Sequence, residues 1–460
     1  MTEPLTDVEI PATERTGAEP TLARRLGAFD ATMIVMGGII GSGIFVNPSV
    51  VARAVHTPLL VIGAWVAGGM IALIGAFVYG ELARLRPGVG GQYAYLRDAY
   101  HPIVAFLYGW TLLLVIQTGG MAGSAIIFGR YTRELTGWAI PEQAIAAIAL
   151  GLLTLVNCFG VRAGSNVQSA LMITKLAAIG LLIVVGFMFA APAASLASAS
   201  LPNGTGGLAG FGAAMVPVLF AYGGWQTASF VSGEMRDSRR DLPRGLLIGV
   251  IGVIALYLAV TIVCLRVLGM DGLAATSTPA SMVLRSALGE RGARLIALGI
   301  AISTVGFLSQ GVLTAPRVYF AMARDGVFFR AVAKLDPRSR VPVVAIVVQG
   351  IWAMVIALAG KYDQILNYVV SIDVLFFGLT GASLLVFRAR EGRANEPRVG
   401  GLRVPGHPAT TMVFVLACWA ISASTIIQYP ENAGIGVGIL LIGVAVYWFW
   451  ARRIAPPKPA

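Results

Sequence analysis

Two charged residues, Lys175 and Asp373, stand inside long apolar stretches of the sequence. A charge at the centre of a lipid bilayer costs about 2.5–3.5 kcal/mol on insertion scales, so such residues are functional candidates by default. The Lys175 ammonium is a candidate for a cation site between two helices, although a lysine at this depth could also reach back to the membrane surface. Asp373 is a candidate coupling group, or else a buried hydrogen-bond partner that holds helices together.

A glycine-rich segment, GGIIGSG at residues 37–43, also lies inside an apolar stretch. Each glycine weakens a helix by about 1 kcal/mol relative to alanine. Gly37 and Gly41 form a GxxxG pattern that would allow close helix packing, but four glycines also favour an unwound segment. Irregular backbone at this depth is tolerated only where it lines protein or a wet cavity. The amides that it frees before Ile44 would suit a carboxylate.

The segment FAYGGW at residues 220–225 repeats this pattern about halfway along a later apolar stretch. Interrupted spans at corresponding places in two halves are the best sequence indication of a transporter site. Carbonyls freed at both breaks would accept hydrogen bonds from an ammonium group, so the pair of breaks matches a zwitterionic α-amino acid. The predicted substrate site comprises Ile39, Ile40, Gly41, Ser42, Gly43, Phe220, Ala221, Gly223 and Gly224.

The composition places these segments in a membrane. Of the 460 residues, 57% are hydrophobic and 12% are charged, whereas an ordinary soluble domain has about 25% charged residues. A span needs about 20 mostly apolar residues. Such stretches occur near 30–54, 59–83, 103–128, 140–160, 167–190, 211–234, 245–267, 295–321, 342–359, 364–387, 409–428 and 434–451. We therefore expect an all-α polytopic membrane protein with about twelve transmembrane helices, of which the first and sixth are unwound at mid-membrane.

The basic residues indicate the orientation of the chain. With both termini inside, the inner loops and tails hold 25 of the 34 Lys and Arg residues, as the positive-inside rule requires. This bias predicts a multi-pass protein of the cell (inner) membrane with both termini cytoplasmic, and it explains the net charge of +12 without a nucleic acid partner. Residues 1–27 and 454–460 are polar and are predicted to be tails, the first of them disordered, on either side of one transmembrane domain over 28–453.

Other classes of function find little support. The three cysteines and three histidines form no metal-ligand spacing, so we expect no metal and no cofactor. The glycines at 37–43 follow no strand, which excludes a dinucleotide loop. No pair of residues suited to intramembrane catalysis is apparent, so an enzyme is not expected. An ion channel would need a ring of carbonyls or charges along an open pore, and two offset helix breaks suit a closed site better.

Five stretches, in order along most of the chain, combine into a more specific pattern. They are GIIGSGIF at 38–45, GGQYAY at 90–95, NC at 157–158 with VR at 161–162 and VQ at 167–168, FAYGGW at 220–225 running to EM at 234–235, and RVPGHP at 403–408. Together they resemble the amino acid–polyamine–organocation superfamily, and within it the L-type amino acid transporters and their prokaryotic relatives.

This resemblance implies the LeuT-type fold, a five-plus-five inverted repeat with two further helices. Repeat one would cover about 28–190, repeat two about 211–387, and the extra helices about 409–451. Amides around Ser42 and Gly43 would hold the substrate carboxylate, and the carbonyls of Ile39, Phe220 and Gly223 would hold the amino group. Phe220 would also be an aromatic gate over the substrate.

The resemblance further implies how transport is driven. Lys175 matches a lysine that stands in for the second sodium ion of sodium-coupled relatives, which implies sodium-independent amino acid transport by alternating access. Exchange is the expected mode, with uniport or proton symport as alternatives. Transport of polyamines or cationic amino acids would require an acidic residue facing the site, and neither break contains one. The expected partners are the amino acid substrate and the lipid bilayer, with a homo-oligomer possible.

Overall fold

The structure is a computed structural model that describes residues 26–87, 90–159, 165–193, 208–336, 341–394 and 401–451. Within these residues the chain folds into α-helices, with short 3-10 and π segments and no named strand. The helices are α1 (Ala28–Ile39), α2 (Asn47–Val55), α3 (Pro58–Leu85), α4 (Gln92–Ala99), α5 (Pro102–Thr111), α6 (Gln117–Thr136), α7 (Glu142–Cys158), α8 (Ser165–Met188), α9 (Leu208–Tyr222), α10 (Thr227–Phe230), α11 (Ser238–Ala275), α12 (Pro279–Thr314), α13 (Pro316–Arg324), α14 (Val343–Ala359), α15 (Tyr362–Ala394), α16 (Ala409–Gln428) and α17 (Pro430–Ala451).

The length and apolar character of these helices confirm the predicted all-α polytopic membrane fold. Among the described residues, eight helical segments are long and apolar enough to cross a bilayer. Three shorter apolar helices, α1, α7 and α14, accompany them, and α9 is a further apolar helix of 15 residues. These elements fall where spans were predicted, while the number of crossings and the repeat boundaries stay predictions.

The start of α11 is a clear departure from the predicted boundaries. The apolar pattern predicted a span from 245, but the helix begins at Ser238. Asp237 caps this end, because its Oδ1 accepts a hydrogen bond from Arg239 N at 3.1 Å, and a capping side chain satisfies an amide that has no partner within the helix. Hydropathy does not detect this extra length because it is rich in arginine.

A single turn of π-helix, Leu112–Ile116, joins α5 and α6 into one continuous span. Thr118 Oγ1 donates to Leu113 O, five residues back, at 2.7 Å. Such turns are frequent at functional sites. This one directly precedes Gln117 and Gly120, which face the cavity described below.

Helix α1 packs closely on α11 through small residues. A Cβ atom added at Gly245 would lie 2.5 Å from Ala31 Cβ, and one at Gly249 would lie 2.7 Å from Val35 Cγ1. Real Cβ atoms do not approach other atoms so closely. The two glycines therefore set the short distance between α1 and α11.

One buried carboxylate joins three segments of the chain that are distant in sequence. Glu81 on α3 is 1% exposed and accepts two hydrogen bonds of 2.8 Å from Arg388 on α15. It also accepts one of 2.7 Å from Val404 N, which lies in the RVPGHP motif. Paired, charge-assisted hydrogen bonds of this kind are strong and directional. This contact gives the motif at 403–408 a structural role.

Most of both predicted tails lies outside the described residues, as do Val161 and Arg162 of the motif at the α7–α8 connection. Leu26, near the end of the predicted N-terminal tail, is held by backbone hydrogen bonds. Its N–H donates to Glu234 O at 3.0 Å, and its carbonyl accepts from Arg236 N at 2.9 Å. The chain just before α1 is thus attached to the segment that follows the second break.

Candidate substrate site

The first break separates α1 from α2. Helix α1 ends at Ile39, Ile40 leaves the helical conformation with ψ of 87°, and Gly43–Phe45 forms one 3-10 turn. Within the described chain, the amides of Ser42, Gly43 and Ile44 have no hydrogen-bond acceptor, and the buried Ser42 Oγ has no partner. Successive free amides form a concavity that suits an anion.

The second break separates α9 from α10. Helix α9 ends at Tyr222, and Gly224 has φ of 110°. Gly224 N donates to Gln226 Oε1 at 2.9 Å rather than to the carbonyl of Phe220, four residues back. As a result, the carbonyls of Phe220 and Gly223 accept no hydrogen bond from the described residues. The second break supplies acceptors where the first supplies donors.

The two breaks contact each other through their glycines. A Cβ at Gly224 would lie 2.1 Å from Gly38 O, and a Cβ at Gly43 would lie 3.1 Å from Ala221 Cα. Gly224 also adopts a positive φ, which L side chains rarely adopt. Sterics and backbone conformation therefore both require a glycine at position 224, the second glycine of the pair.

Tyr257 on α11 links the two breaks through its hydroxyl. Its Oη lies 3.0 Å from Ile39 O and 3.2 Å from Ala221 O. Ile39 O also accepts from Gly41 N at 2.8 Å, so the carbonyl that was predicted to hold an amino group already has two donors. The sequence analysis missed Tyr257 because nothing distinguishes one tyrosine in a long apolar helix.

A cavity lies where the breaks meet, bounded also by α6, α12 and α15. Eight of the nine predicted substrate-binding residues line it, and Ile40 does not. Most of the side chains that the sequence analysis missed come from the three flanking helices. From these helices come Gln117, Ser124, Phe307, Gln310, Thr314, Val369, Val370 and Val374, and Leu219, Gln226 and Thr227 beside the second break were missed as well.

An aromatic contact covers the cavity near the start of α15. The rings of Phe220 and Tyr362 lie 6.1 Å apart in an edge-to-face arrangement. Tyr362 Oη donates to Asn47 Oδ1 at 2.9 Å, and Asn47 Nδ2 donates to Pro217 O at 2.7 Å. This chain of contacts connects α15 to α2 and α9.

Lys175 lies behind the first break rather than in the cavity. Its side chain is 1% exposed, and its Nζ donates to Gly37 O at 3.2 Å and to Ile40 O at 3.0 Å. Its ammonium is also 6.0 Å from the centre of the Phe307 ring. The lysine does not reach back to the surface, because its charge is bound by the carbonyls of the break.

Asp373 on α15 lines the cavity. Its Oδ1 is buried and has no hydrogen-bond partner among the described residues. Its Oδ2 would lie 4.0 Å from a Cβ at Gly223. The structure thus brings Asp373 to the cavity, near the backbone of Gly223, whereas Lys175 does not line it.

Two broken apolar helices that meet around a cavity, within an all-α membrane protein, are typical of secondary transporters. A family model described as amino acid permease matches residues 26–450. The chain therefore belongs to the amino acid permease family of the amino acid–polyamine–organocation superfamily, which confirms the predicted resemblance.

Several curated proteins are similar to this chain over most of their length. The serine/threonine exchanger SteT of Bacillus subtilis is 30% identical, over 94% of this chain and 98% of that protein. The human large neutral amino acids transporter small subunit 2 is 29% identical, over 95% of this chain and 83% of that protein. The human b(0,+)-type amino acid transporter 1 is 29% identical, over 95% of this chain and 91% of that protein.

Proposed function

We propose that this protein exchanges L-amino acids across the cell membrane by alternating access, without sodium. One observation carries the proposal: free amides at the first break and free carbonyls at the second face a single cavity. Ser42 and Gly43 offer donors, and Phe220 and Gly223 offer acceptors. An α-amino acid presents a carboxylate and an ammonium group on one carbon, so it matches donors at one end and acceptors at the other.

The carboxylate end of the cargo binds at the first break in this proposal. Ser42 Oγ adds a hydroxyl donor to the free amides, and it too is unpartnered. The helical segment from Gly43 onward points its N-terminal end at the cavity, where the partial positive charge of unpaired amides stabilises an anion. A buried amide without a partner costs about 1–3 kcal/mol, so cargo binding would relieve that cost.

Lys175 takes the place of a bound inorganic cation. A cation behind an unwound segment is bound by freed carbonyl oxygens, and the carbonyls of Gly37 and Ile40 already hold the Lys175 ammonium. The covalently attached charge supplies the positive group that a sodium ion would otherwise supply. We therefore expect the first break to keep its shape without sodium.

Exchange is the mode of transport that the relatives support, because the printed name of SteT describes an exchanger. Proton symport is a second candidate, and the observation in its favour is Asp373. A carboxylate in a closed cavity can carry a proton, and Oδ1 of Asp373 has no partner among the described residues. Exchange and proton symport differ in whether net uptake follows a proton gradient.

The orientation follows from the positive-inside rule, with both termini in the cytoplasm. The cover formed by Phe220 and Tyr362 then lies on the outer side of the cavity, and the Glu81–Arg388 pair lies at the inner face. Alternating access would open one of these regions while the other stays closed. The amino acid and the lipid are the partners that this proposal needs.

Reconstitution of the purified full-length protein in liposomes tests the function. Uptake of each radiolabelled L-amino acid is measured with sodium, a proton gradient and internal unlabelled amino acid varied independently. We expect uptake that requires internal amino acid and is unchanged when choline replaces sodium. Protein-free liposomes are the control for leakage. Sodium dependence would contradict the role of Lys175, uptake driven by a proton gradient alone would replace exchange with symport, and no uptake of any amino acid would refute the proposal.

A further inference from the structure

One carboxylate, that of Asp373, faces the cavity from α15. Among the described residues that line this cavity, Asp373 alone is ionisable. The sequence analysis found no acidic residue at either break, since Asp373 lies about 150 positions after the second one. The structure places this acid opposite the break that supplies hydrogen-bond acceptors.

The surroundings of Gly223 form a group of oxygen acceptors. A Cβ built on Gly223 would lie 3.2 Å from Leu219 O, 3.5 Å from Phe220 O and 4.0 Å from Asp373 Oδ2. Because glycine has no Cβ, this position is open to a ligand atom. Leu219 O already accepts a hydrogen bond from Gly223 N at 2.8 Å, whereas Phe220 O accepts none from the described residues. The acceptors left for a ligand are therefore Phe220 O and the Asp373 carboxylate. A positively charged nitrogen is the group that such oxygens attract.

None of the residues that the structure describes pairs a positive charge with Asp373. Lys175 donates to Gly37 O and Ile40 O on the far side of the first break and does not line the cavity. The titratable side chains near the carboxylate on the neighbouring helices are Tyr79, Tyr108 and Cys418, which can neutralise no negative charge. An unpaired carboxylate in a closed site is costly, so a positive charge or a proton must enter with the cargo.

We propose that Asp373 binds the ammonium group of the cargo directly, and that this contact makes the site select for ligands with a charged amine. This inference rests on the proposed function, because it assigns a partner to one end of the same cargo. The amides of the first break take the carboxylate of the cargo, while the Asp373 carboxylate and the Phe220 carbonyl take its ammonium. The site therefore tolerates the loss of the cargo carboxylate better than the loss of the amine.

The test removes the contact from the protein and from the ligand in turn. Competitors of counterflow are compared in sets that share a side chain: L-serine, L-glycerate and ethanolamine; L-alanine, L-lactate and ethylamine; L-phenylalanine, L-3-phenyllactate and phenethylamine. Each is titrated against the best radiolabelled amino acid, in the wild type and in Asp373→Asn. Asp373→Glu is the conservative variant, and Asp271→Asn makes the same change at an exposed carboxylate on the outer side.

We expect Asp373→Asn to weaken the amino acid and the amine of each set by about 30-fold, since a hydrogen bond to a charged group is worth about 1.5–3 kcal/mol. The 2-hydroxy acid, which has no ammonium, should change by less than about twofold. Asp373→Glu should keep most of the preference for the amine, and Asp271→Asn should match the wild type.

Equal weakening of all three ligands of a set would overturn the inference, because it would show that Asp373 only supports the fold. No weakening of any ligand, with loss of uptake driven by a proton gradient, would overturn it in favour of a proton carrier. A wild-type protein that neither transports nor binds any amino acid would refute the proposed function itself, and that result needs no variant.

Discussion

The two breaks expose opposite kinds of hydrogen-bonding group, and a charged side chain lies beside each break. The positive charge lies beside the break that exposes amides, and the negative charge lies beside the break that exposes carbonyls. The first break exposes amides to the cavity, and the Lys175 ammonium binds its carbonyls from behind. The second break exposes carbonyls, and the Asp373 carboxylate faces them with one oxygen unpartnered. Lys175 is satisfied within the protein, whereas Asp373 is not. On the proposal made above, the Lys175 charge stabilises the shape of the first break and the Asp373 charge binds the cargo.

The contact between the breaks should be the feature most sensitive to substitution. Gly224→Ala places a Cβ where Gly38 O lies 2.1 Å away and imposes a side chain on a positive φ. Backbone strain costs about 1–3 kcal/mol, and the clash adds to it, so we expect exchange to fall by at least about a hundredfold. Counterflow in liposomes and the melting temperature of the purified variant measure the two consequences.

Gly434→Ala is the matched control, because a Cβ at this position on α17 meets no atom within 4 Å. It should transport and melt like the wild type. Wild-type exchange by Gly224→Ala would show that the breaks do not need their close contact, and the comparison between them would lose its structural basis.

Removal of the lysine charge tests whether the first break depends on it. Lys175→Met leaves the carbonyls of Gly37 and Ile40 buried without their donor, at a cost of about 1–3 kcal/mol for each unsatisfied group. We expect exchange to fall at least about 30-fold, measured as counterflow in sodium-free buffer. Lys361→Met, at an exposed position between α14 and α15, serves as the control. Unchanged sodium-free exchange by Lys175→Met would assign the lysine to the scaffold alone.

Much of this arrangement could be predicted from the sequence, and particular residues show why. Glycine pairs inside apolar stretches report where a helix cannot continue, so the sequence alone predicts both breaks and eight of the residues that line the cavity. Hydropathy also reports which segments lie in lipid. Neither signal says which side of a helix faces the cavity, because apolar periodicity is weak in a segment that is apolar all round.

The two charges illustrate this limit. Lys175 and Asp373 were both predicted as candidates for a cation or coupling site, yet only Asp373 lines the cavity. The side that each residue faces depends on how α8 and α15 pack, which is a property of tertiary structure. Tyr257 and Gln226 were missed for the same reason, since their roles depend on backbone groups that are free only at the breaks.

Removal of the Tyr257 hydroxyl, which contacts both breaks, should reduce transport by an intermediate amount. Tyr257→Phe removes a donor from Ile39 O and Ala221 O, so one break can shift relative to the other. We expect the apparent affinity for amino acid to fall about tenfold, since about 1–2 kcal/mol of buried hydrogen bonding is lost. The concentration dependence of counterflow gives the value.

Tyr447→Phe is the control, because the Tyr447 hydroxyl makes no hydrogen bond to a described residue. A wild-type affinity in Tyr257→Phe would mean that the breaks are aligned by their glycines alone. An equal loss in both variants would point to a general effect of replacing tyrosine with phenylalanine rather than to the contact with the breaks.

The smallest expected effect lies at the cover of the cavity, outside both breaks. Tyr362→Phe loses the 2.9 Å hydrogen bond to Asn47 but keeps the aromatic contact with Phe220, so about 1 kcal/mol of stabilisation of the closed cover disappears. We expect the apparent affinity for external amino acid to change about fivefold, and that for internal amino acid to change less, because the change affects the outer opening. Tyr368→Phe on the same helix, whose hydroxyl has no described partner, should leave both affinities unchanged. Equal changes in the affinities for external and internal amino acid would show that the Tyr362 hydroxyl acts on the substrate site itself. The cover would then belong to the substrate site rather than to the outer opening.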